Sequence, residues 1–263
     1  MSKKLGLALG SGGARGAAHI AFLHVLEEEG IKPYCISGCS MGAVVGAGYA
    51  AGISTDELKK KIAELKAFDI IDPAVAPLTK LGLLKGNKMR KLLLSSLGDM
   101  TFDQLKIPFA CVATDILGGR SVELKEGSVV EAVRASSAIP TVFRPVQREN
   151  MLLVDGGVLC RVPVKLCKSM GADVVVAFDV LANTGERIEK ITNIVQKVLR
   201  VFDIMDYNQN ENAKILMKDY YDLWLVPEME GLSQYVVKDA EKAYEMGYEY
   251  AKQHVGEIKE LLV

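Results

Sequence analysis

Gly38-Cys39-Ser40-Met41-Gly42 sets one serine in a tight turn between two regular elements. Ahead of it, Tyr34-Cys35-Ile36-Ser37 reads as a short buried strand. Behind it, Gly42 to Ala51 reads as a helix of small residues closed by Gly52. A strand that feeds a helix through Gly-x-Ser-x-Gly is a nucleophile elbow. Gly38 and Gly42 remove side chains that would clash in so sharp a bend, and the serine hydroxyl is left at a helix N-terminus that favours developing negative charge. No other Gly-x-Ser-x-Gly occurs in the chain. Five residues match by chance often enough that the context has to carry the reading.

A second glycine cluster lies near the N-terminus. Lys4 to Leu9 reads as a first strand, Gly10-Ser11-Gly12-Gly13-Ala14-Arg15-Gly16 follows, and a helix is predicted from Ala17 to about Glu29, stopped by Gly30. A dinucleotide fingerprint would need its third glycine one position earlier than Gly16 and an acid at the end of the second strand, which instead ends in Ser37-Gly38. A phosphate loop would need a Gly-Lys-Ser/Thr ending that is absent. An oxyanion hole needs only successive amides free of side chains, and it alone makes this loop and Ser40 parts of one site.

A nucleophilic serine needs a base. The three histidines are His19, His24 and His254. The first two precede the serine in the helix after the glycine loop, and only His254 fits the order serine, acid, histidine. It flanks the apolar stripe of a C-terminal amphipathic segment, where a packing histidine is the plainer account of it. The alternative base is a carboxylate. Leu152-Leu153-Val154-Asp155-Gly156-Gly157 delivers Asp155 at the end of an apolar run and turns the chain at once, so a hydroxyl could come close. A hairpin corner with Asp-Gly competes with that reading.

Taken together, the glycine loop ending in Arg15-Gly16, the Gly-x-Ser-x-Gly at Ser40 and the Asp155-Gly156-Gly157 about a hundred residues later resemble the patatin-like phospholipases. The match is to their small bacterial members, similar to the catalytic part of neuropathy target esterase. Gly12 to Ile20, Ala113-Thr114-Asp115 and Arg134 to Phe143 resemble further family stretches, and the likeness runs from residue 5 to about 180. Ser11 departs from the family, which more often has glycine there. The resemblance implies a Ser40–Asp155 dyad, with Ser40 as nucleophile and Asp155 as general base. It also implies that the Gly12 and Gly13 amides hold the oxyanion, and that Arg15 braces the loop or adds positive charge. An acyl-enzyme would form on Ser40 and be hydrolysed by water, with no metal or cofactor.

Composition fits that expectation. At 263 residues and 49% hydrophobic, the chain can bury a large core, and it is expected to form a single acyl hydrolase domain over 1–263. Strands and helices alternate from Leu5 to Val180, with Ser54-Thr55-Asp56-Glu57 capping a helix that runs to about Ala67. Further strands are predicted over Ile107–Ile116, Leu152–Val154 and Val174–Val180. The expected fold class is therefore α/β: a mixed, mostly parallel central sheet covered by helices on both faces, in three layers. From about residue 188 the tail reads as two helices. The short N-terminal lead and five irregularly spaced cysteines favour a cytoplasmic protein with reduced thiols. A net charge of −1 argues against a nucleic-acid partner.

One segment supports a sharper reading. Between Asp72 and Asp99 there is no acid, but Lys80, Lys85, Lys88, Arg90 and Lys91 alternate with leucines. Residues 73–98 could form a flap resting transiently on an anionic membrane, at the inner face. The plainer account, an amphipathic helix with a solvated basic face, is preferred. The expected substrate is a phospholipid or lysophospholipid ester. The rivals are a general carboxylesterase or thioesterase, a non-catalytic acyl- or lipid-binding regulator, and a nucleotide-dependent oxidoreductase.

Overall fold

Leu5-Gly6-Leu7-Ala8-Leu9 forms β1, buried along its whole length as a strand flanked and covered on all sides has to be. The computed structural model describes residues 3–73, 81–181 and 190–263. Among these, the other strands are β2 (Cys35–Gly38), β3 (Phe109–Asp115), β4 (Arg120–Leu124), β5 (Val146–Arg148), β6 (Met151–Asp155), β7 (Val174–Phe178) and β8 (Leu223–Leu225). The α-helices are α1 (Ala17–Glu28), α2 (Met41–Ala50), α3 (Thr55–Glu64), α4 (Ala67–Ile70), α5 (Asn87–Leu97), α6 (Val129–Ser136), α7 (Val164–Ser169), α8 (Ile194–Leu216) and α9 (Ala240–Leu262).

The parallel part of the sheet runs β3-β2-β1-β7-β8, and β4, β5 and β6 add antiparallel pairings. Side chains alternate across it. Leu5, Leu7 and Leu9 enter a large core with α1, α2 and α9, while Ala8 joins Cys35, Val175 and Ala177 under α7. Helices therefore cover both faces, as expected from the alternation. α1 is buried nearly all round because it lies between the sheet and α9.

Which edge of β3 each neighbour occupies decides where the site forms. β2 pairs with Phe109–Cys111, β6 with Ala113–Asp115, and β4 with Cys111–Asp115. Because β4 overlaps both of the others, β2 and β6 must share the opposite edge. β2 runs parallel to β3 and β6 antiparallel, so their C-terminal ends meet head to head. Gly38 lies opposite Cys111 and Asp155 opposite Ala113, two positions or roughly 7 Å along one strand.

Two sequence expectations need correcting. The C-terminal tail is not purely helical: Leu223-Trp224-Leu225 forms β8 and extends the sheet beside β7. Asp155-Gly156 is not a hairpin corner either, because Gly156–Val158 continues as a 3₁₀ turn. The Ser54 cap is present, its hydroxyl accepting from the Glu57 amide at 3.2 Å. Of the segment 73–98, residues 74–80, including Leu78 and Lys80, lie outside the described residues. Its remainder holds α5, whose first amides donate to the Asp72 carboxylate at 2.7–3.2 Å. Leu93 and Leu97 of α5 point into the core.

Candidate active site

Ser40 occupies the bend between β2 and α2 with φ 52° and ψ −119°, a region seldom adopted by residues with a side chain. The bend is tight enough to exclude side chains on either side. A Cβ on Gly42 would lie 2.3 Å from the Leu9 carbonyl oxygen, and one on Gly38 would lie 2.6 Å from the Ala43 Cα. The strained backbone is over-determined by its neighbours, which is what allows it to persist. The Ser40 amide donates to Ser136 Oγ at 3.0 Å, and Ser137 Oγ donates to the Ser40 carbonyl at 3.3 Å.

Ser40 Oγ donates to Asp155 Oδ2 at 2.7 Å. The other carboxylate oxygen, Oδ1, accepts the Gly157 amide at 2.8 Å, so the head group is fixed before it meets the serine. The Asp155 amide donates to the Ala138 carbonyl at 2.9 Å. Ser40 is 7% and Asp155 4% exposed. Burial pushes the Asp155 carboxyl up to about 6, against the hydrogen bonds from Ser40 and Gly157 that favour its charged form. The negative charge of Asp206 pushes it the same way as burial. A carboxylate in that range can take a proton from a hydroxyl in the reaction and return it.

The histidines lie elsewhere. His19 Nε2 donates to the Gly10 carbonyl at 2.8 Å, and burial holds its imidazole down at about 4, so the ring is neutral. His24 Nδ1 bonds the Tyr244 hydroxyl and His254 Nδ1 the Tyr250 carbonyl. Among the described residues no histidine hydrogen-bonds Ser40 or Asp155, and no group of three or more His, Cys, Asp and Glu is arranged to hold a metal ion.

The first glycine loop is held from three directions. Gly10 N donates to Phe178 O, Ser11 N to Arg161 O and Ala14 N to Gln234 O. The Gly12 and Gly13 amides, between these tethers, donate to no acceptor among the described residues. Gly13 has φ 50°, and a Cβ there would overlap the Gln234 carbonyl oxygen at 2.2 Å. Arg15 is buried and its guanidinium donates to the Leu232 carbonyl, which ties the loop to the chain ahead of α9. Ser11 turns its hydroxyl to Cys39 Sγ at 3.1 Å.

Ser40 opens onto an apolar cleft of about 360 Å³. It is lined by Met41, Val44, Val45 and Gly48 of α2, by Leu58 and Ile62 of α3 and by Met89, Leu93 and Leu97 of α5. Gly13 and Gln234 line it as well. An apolar channel that begins at a serine hydroxyl suits an acyl chain whose ester carbon is presented to that hydroxyl.

Residues 7–168 match the family model for patatin-like phospholipase, a span that contains every residue of this geometry up to Asp155. The chain belongs to the patatin-like phospholipase family. Among curated patatin-like relatives, an NTE family protein of Mycobacterium tuberculosis is 39% identical over 179 residues, 67% of this chain and 49% of the relative. The human patatin-like phospholipase domain-containing protein 6 is 27% identical over 275 residues, 94% of this chain and 20% of the relative. A lysophospholipase, nte1, of Emericella nidulans is 26% identical over 289 residues, 98% of this chain and 18% of the relative. The chain thus spans about half the length, or less, of these relatives. Two solved structures share the patatin-like fold: VipD from Legionella pneumophila (TM-score 0.57, 14% identity, 96% of this chain and 67% of that one) and human GIVD cytosolic phospholipase A2 (TM-score 0.52, 11% identity, 99% and 59%).

Three groups at this site escape a reading of the sequence. Ser136 and Ser137 grip the Ser40 backbone from the end of α6; they lie in the Arg134 to Phe143 stretch that resembles the family, but nothing in that stretch assigns them this role. Arg161 hydrogen-bonds Asp179 and Asp206 at 2.8 and 2.9 Å in a buried cluster with Asn210, while its carbonyl holds Ser11.

Proposed function

We propose that the protein is a serine acyl-ester hydrolase acting on phospholipid or lysophospholipid esters. The observation that carries this reading is the 2.7 Å contact between Ser40 Oγ, which lines an apolar cleft, and a buried, structurally fixed Asp155. Ser40 Oγ attacks the ester carbonyl while its proton passes to Asp155 Oδ2. The amides of Gly12 and Gly13, which donate to no acceptor among the described residues, receive the negative charge on the carbonyl oxygen. Arg15 braces that loop through Leu232. As the tetrahedral intermediate collapses, the leaving alcohol takes the proton from Asp155 and the acyl group remains on Ser40. A water molecule then gives its proton to Asp155 and attacks the acyl carbon. Ser40 is reprotonated and the fatty acid leaves. The phospholipase and lysophospholipase names of the relatives support the lipid substrate. The reading includes a single hydrolase domain in a cytoplasmic setting; for the acid-free segment 73–98 a solvated basic helix face remains the plainer account, and transient contact with an anionic inner membrane face the sharper one. For membrane contact, Leu81, Leu83 and Leu92 within the segment are exposed, and Leu92 also lines the cleft. Among the described residues no helix is long and apolar enough to cross a membrane.

The test is release of free fatty acid from a lysophosphatidylcholine. Wild-type protein releases it and Ser40→Ala loses roughly a thousandfold or more of that rate. A wild-type protein that cleaves short soluble esters but no lipid would overturn the lipid reading in favour of a general esterase.

A further inference from the structure

The apolar cleft has a closed end, and α2 measures the way to it. Ser40, Met41, Val44, Val45 and Gly48 all line the cleft. At 100° per residue the four helical ones fall within an arc of about 100°, so one stripe of α2 faces the cleft from the nucleophile onward. Gly48 lies roughly 12 Å along the helix axis from Ser40. Ala51, which would continue the stripe, does not line the cleft. Val45 and Leu58, next to Gly48, are 1 and 8% exposed, whereas the lining residues Ile71 and Leu92, where the cleft meets solvent, are 44 and 37% exposed. The buried end is made locally. Gly52, at φ 91°, turns the chain out of α2, and the Ile53 amide donates back to the Gly48 carbonyl at 3.1 Å. Ile53 and Leu58 thereby return over Gly48 and line the cleft with it. A Cβ on Gly48 would lie 2.8 Å from Leu58 Cδ2 and 3.9 Å from Ile53 Cδ1. Gly48 has no positive φ to call for glycine, and inside a helix glycine costs about 1 kcal/mol relative to alanine. What its missing side chain leaves is room at the Leu58 contact.

We infer that Gly48 sets the length of acyl chain the site accepts, leaving room for substrate chains of about ten carbons or more; the inference rests on the acyl-ester reading above and names its substrate class. An extended alkyl chain, with single bonds near 1.5 Å at tetrahedral angles, advances about 1.25 Å per carbon. Carried inward from Ser40 along α2, it reaches Val44 at about its fifth carbon and Gly48 at about its tenth. A chain of roughly four to eight carbons ends short of Gly48 and does not sense that position. A longer chain passes the Gly48–Leu58 contact, where an added methyl would press the Leu58 side chain into the same space. The atom in the way is the end of a side chain rather than backbone, so the fold accommodates Gly48→Ala and the cleft loses depth.

The experiment measures kcat/KM of the full chain on p-nitrophenyl butyrate, octanoate and laurate. It compares the wild type with Gly48→Ala, Gly48→Ala/Leu58→Ala and Val44→Phe. Displacement of a bound fluorescent fatty acid by octanoate and by laurate is measured on the same four proteins. In Gly48→Ala the laurate-to-butyrate ratio should fall roughly tenfold, while the octanoate-to-butyrate ratio changes less than about twofold. The double variant removes the side chain that the methyl displaces, and should bring the laurate ratio back to within about threefold of wild type. Val44→Phe, one turn nearer the serine, should lower the octanoate ratio as well. A Gly48→Ala protein that treats all three esters alike would overturn the inference, as would a double variant no better than the single one. Equal displacement by laurate from wild type and Gly48→Ala would overturn it whether or not any ester is cleaved. If the wild type cleaves none of the esters, yet laurate displaces the probe about tenfold better from it than from Gly48→Ala, the hydrolase reading falls and the length-setting glycine stands.

Discussion

Ser40 is held in a backbone conformation that costs a residue with a side chain on the order of 1–3 kcal/mol, and Asp155 is a carboxyl kept out of water. Both are unfavourable for folding taken alone, and both have a use in the proposed chemistry. The pH dependence follows from the acid. Asp155 serves as a base only when ionised, so hydrolysis should fall as pH drops through about 6. Stability runs the other way. The folded carboxyl titrates above its ordinary value of 3.8, so its contribution is full below that value and is lost as pH rises through about 6. Asp155→Asn cannot ionise. It should be more stable than the wild type at pH 8 by up to about 3 kcal/mol, with the difference shrinking toward pH 4, as urea denaturation at the two pH values would reveal. Equal stabilities at pH 8 would mean that Asp155 is not buried as an unfavourable charge. Ser40 is legible in the sequence because its glycines are a steric requirement, and such requirements are written locally. The pairing of Ser40 with Asp155 is not local, and only resemblance to a family joined the two before the sheet register did.

At the level of elements, the head-to-head meeting of β2 and β6 on one edge of β3 turns two remote sequence positions into a site. The elbow depends on the approach of β1 to α2 at Gly42. Gly42→Ala would force a methyl group against the Leu9 and Gly10 carbonyl oxygens, 2.3 and 2.5 Å away. It should cost about 3 kcal/mol or more by thermal unfolding and abolish hydrolysis. A variant with wild-type melting would mean that β1 and α2 are further apart than described. β1, β3 and β7 were readable because they are buried apolar runs. β4, β5 and β8 were not. β4 is mostly exposed, β5 and β8 have three residues each, and a short edge strand leaves no apolar run to detect.

Across the whole molecule, the C-terminal part does more than cover the core. β8 extends the sheet, Leu232 and Gln234 hold the glycine loop, and α8 is anchored on Arg161. The Arg161–Asp179–Asp206–Asn210 cluster gathers four residues spread over fifty positions with no periodicity, so nothing in the sequence announces it. In Asp206 burial outweighs Arg161 and pushes the carboxyl up to about 6; in Asp179 burial also pushes upward, but Arg161 together with the Leu181 amide and Lys214 holds the carboxyl below its ordinary value. Arg161→Met would leave two buried carboxylates without their cation, at a cost of roughly 3–5 kcal/mol near neutral pH. That loss should shrink on acidification, as the orphaned carboxyls take up protons, and denaturation at pH 5 and pH 8 measures it. A loss independent of pH would mean that packing, not charge, is what Arg161 supplies. The central claim is that the fold brings a strained serine directly to a buried acid that activates it. Intact-protein mass spectrometry after brief fluorophosphonate treatment tests it most directly. The account predicts a single adduct on Ser40, none in Ser40→Ala, and labelling slowed about a hundredfold or more in Asp155→Asn at pH 8. An adduct that persists in Ser40→Ala, or wild-type labelling speed in Asp155→Asn, would contradict it.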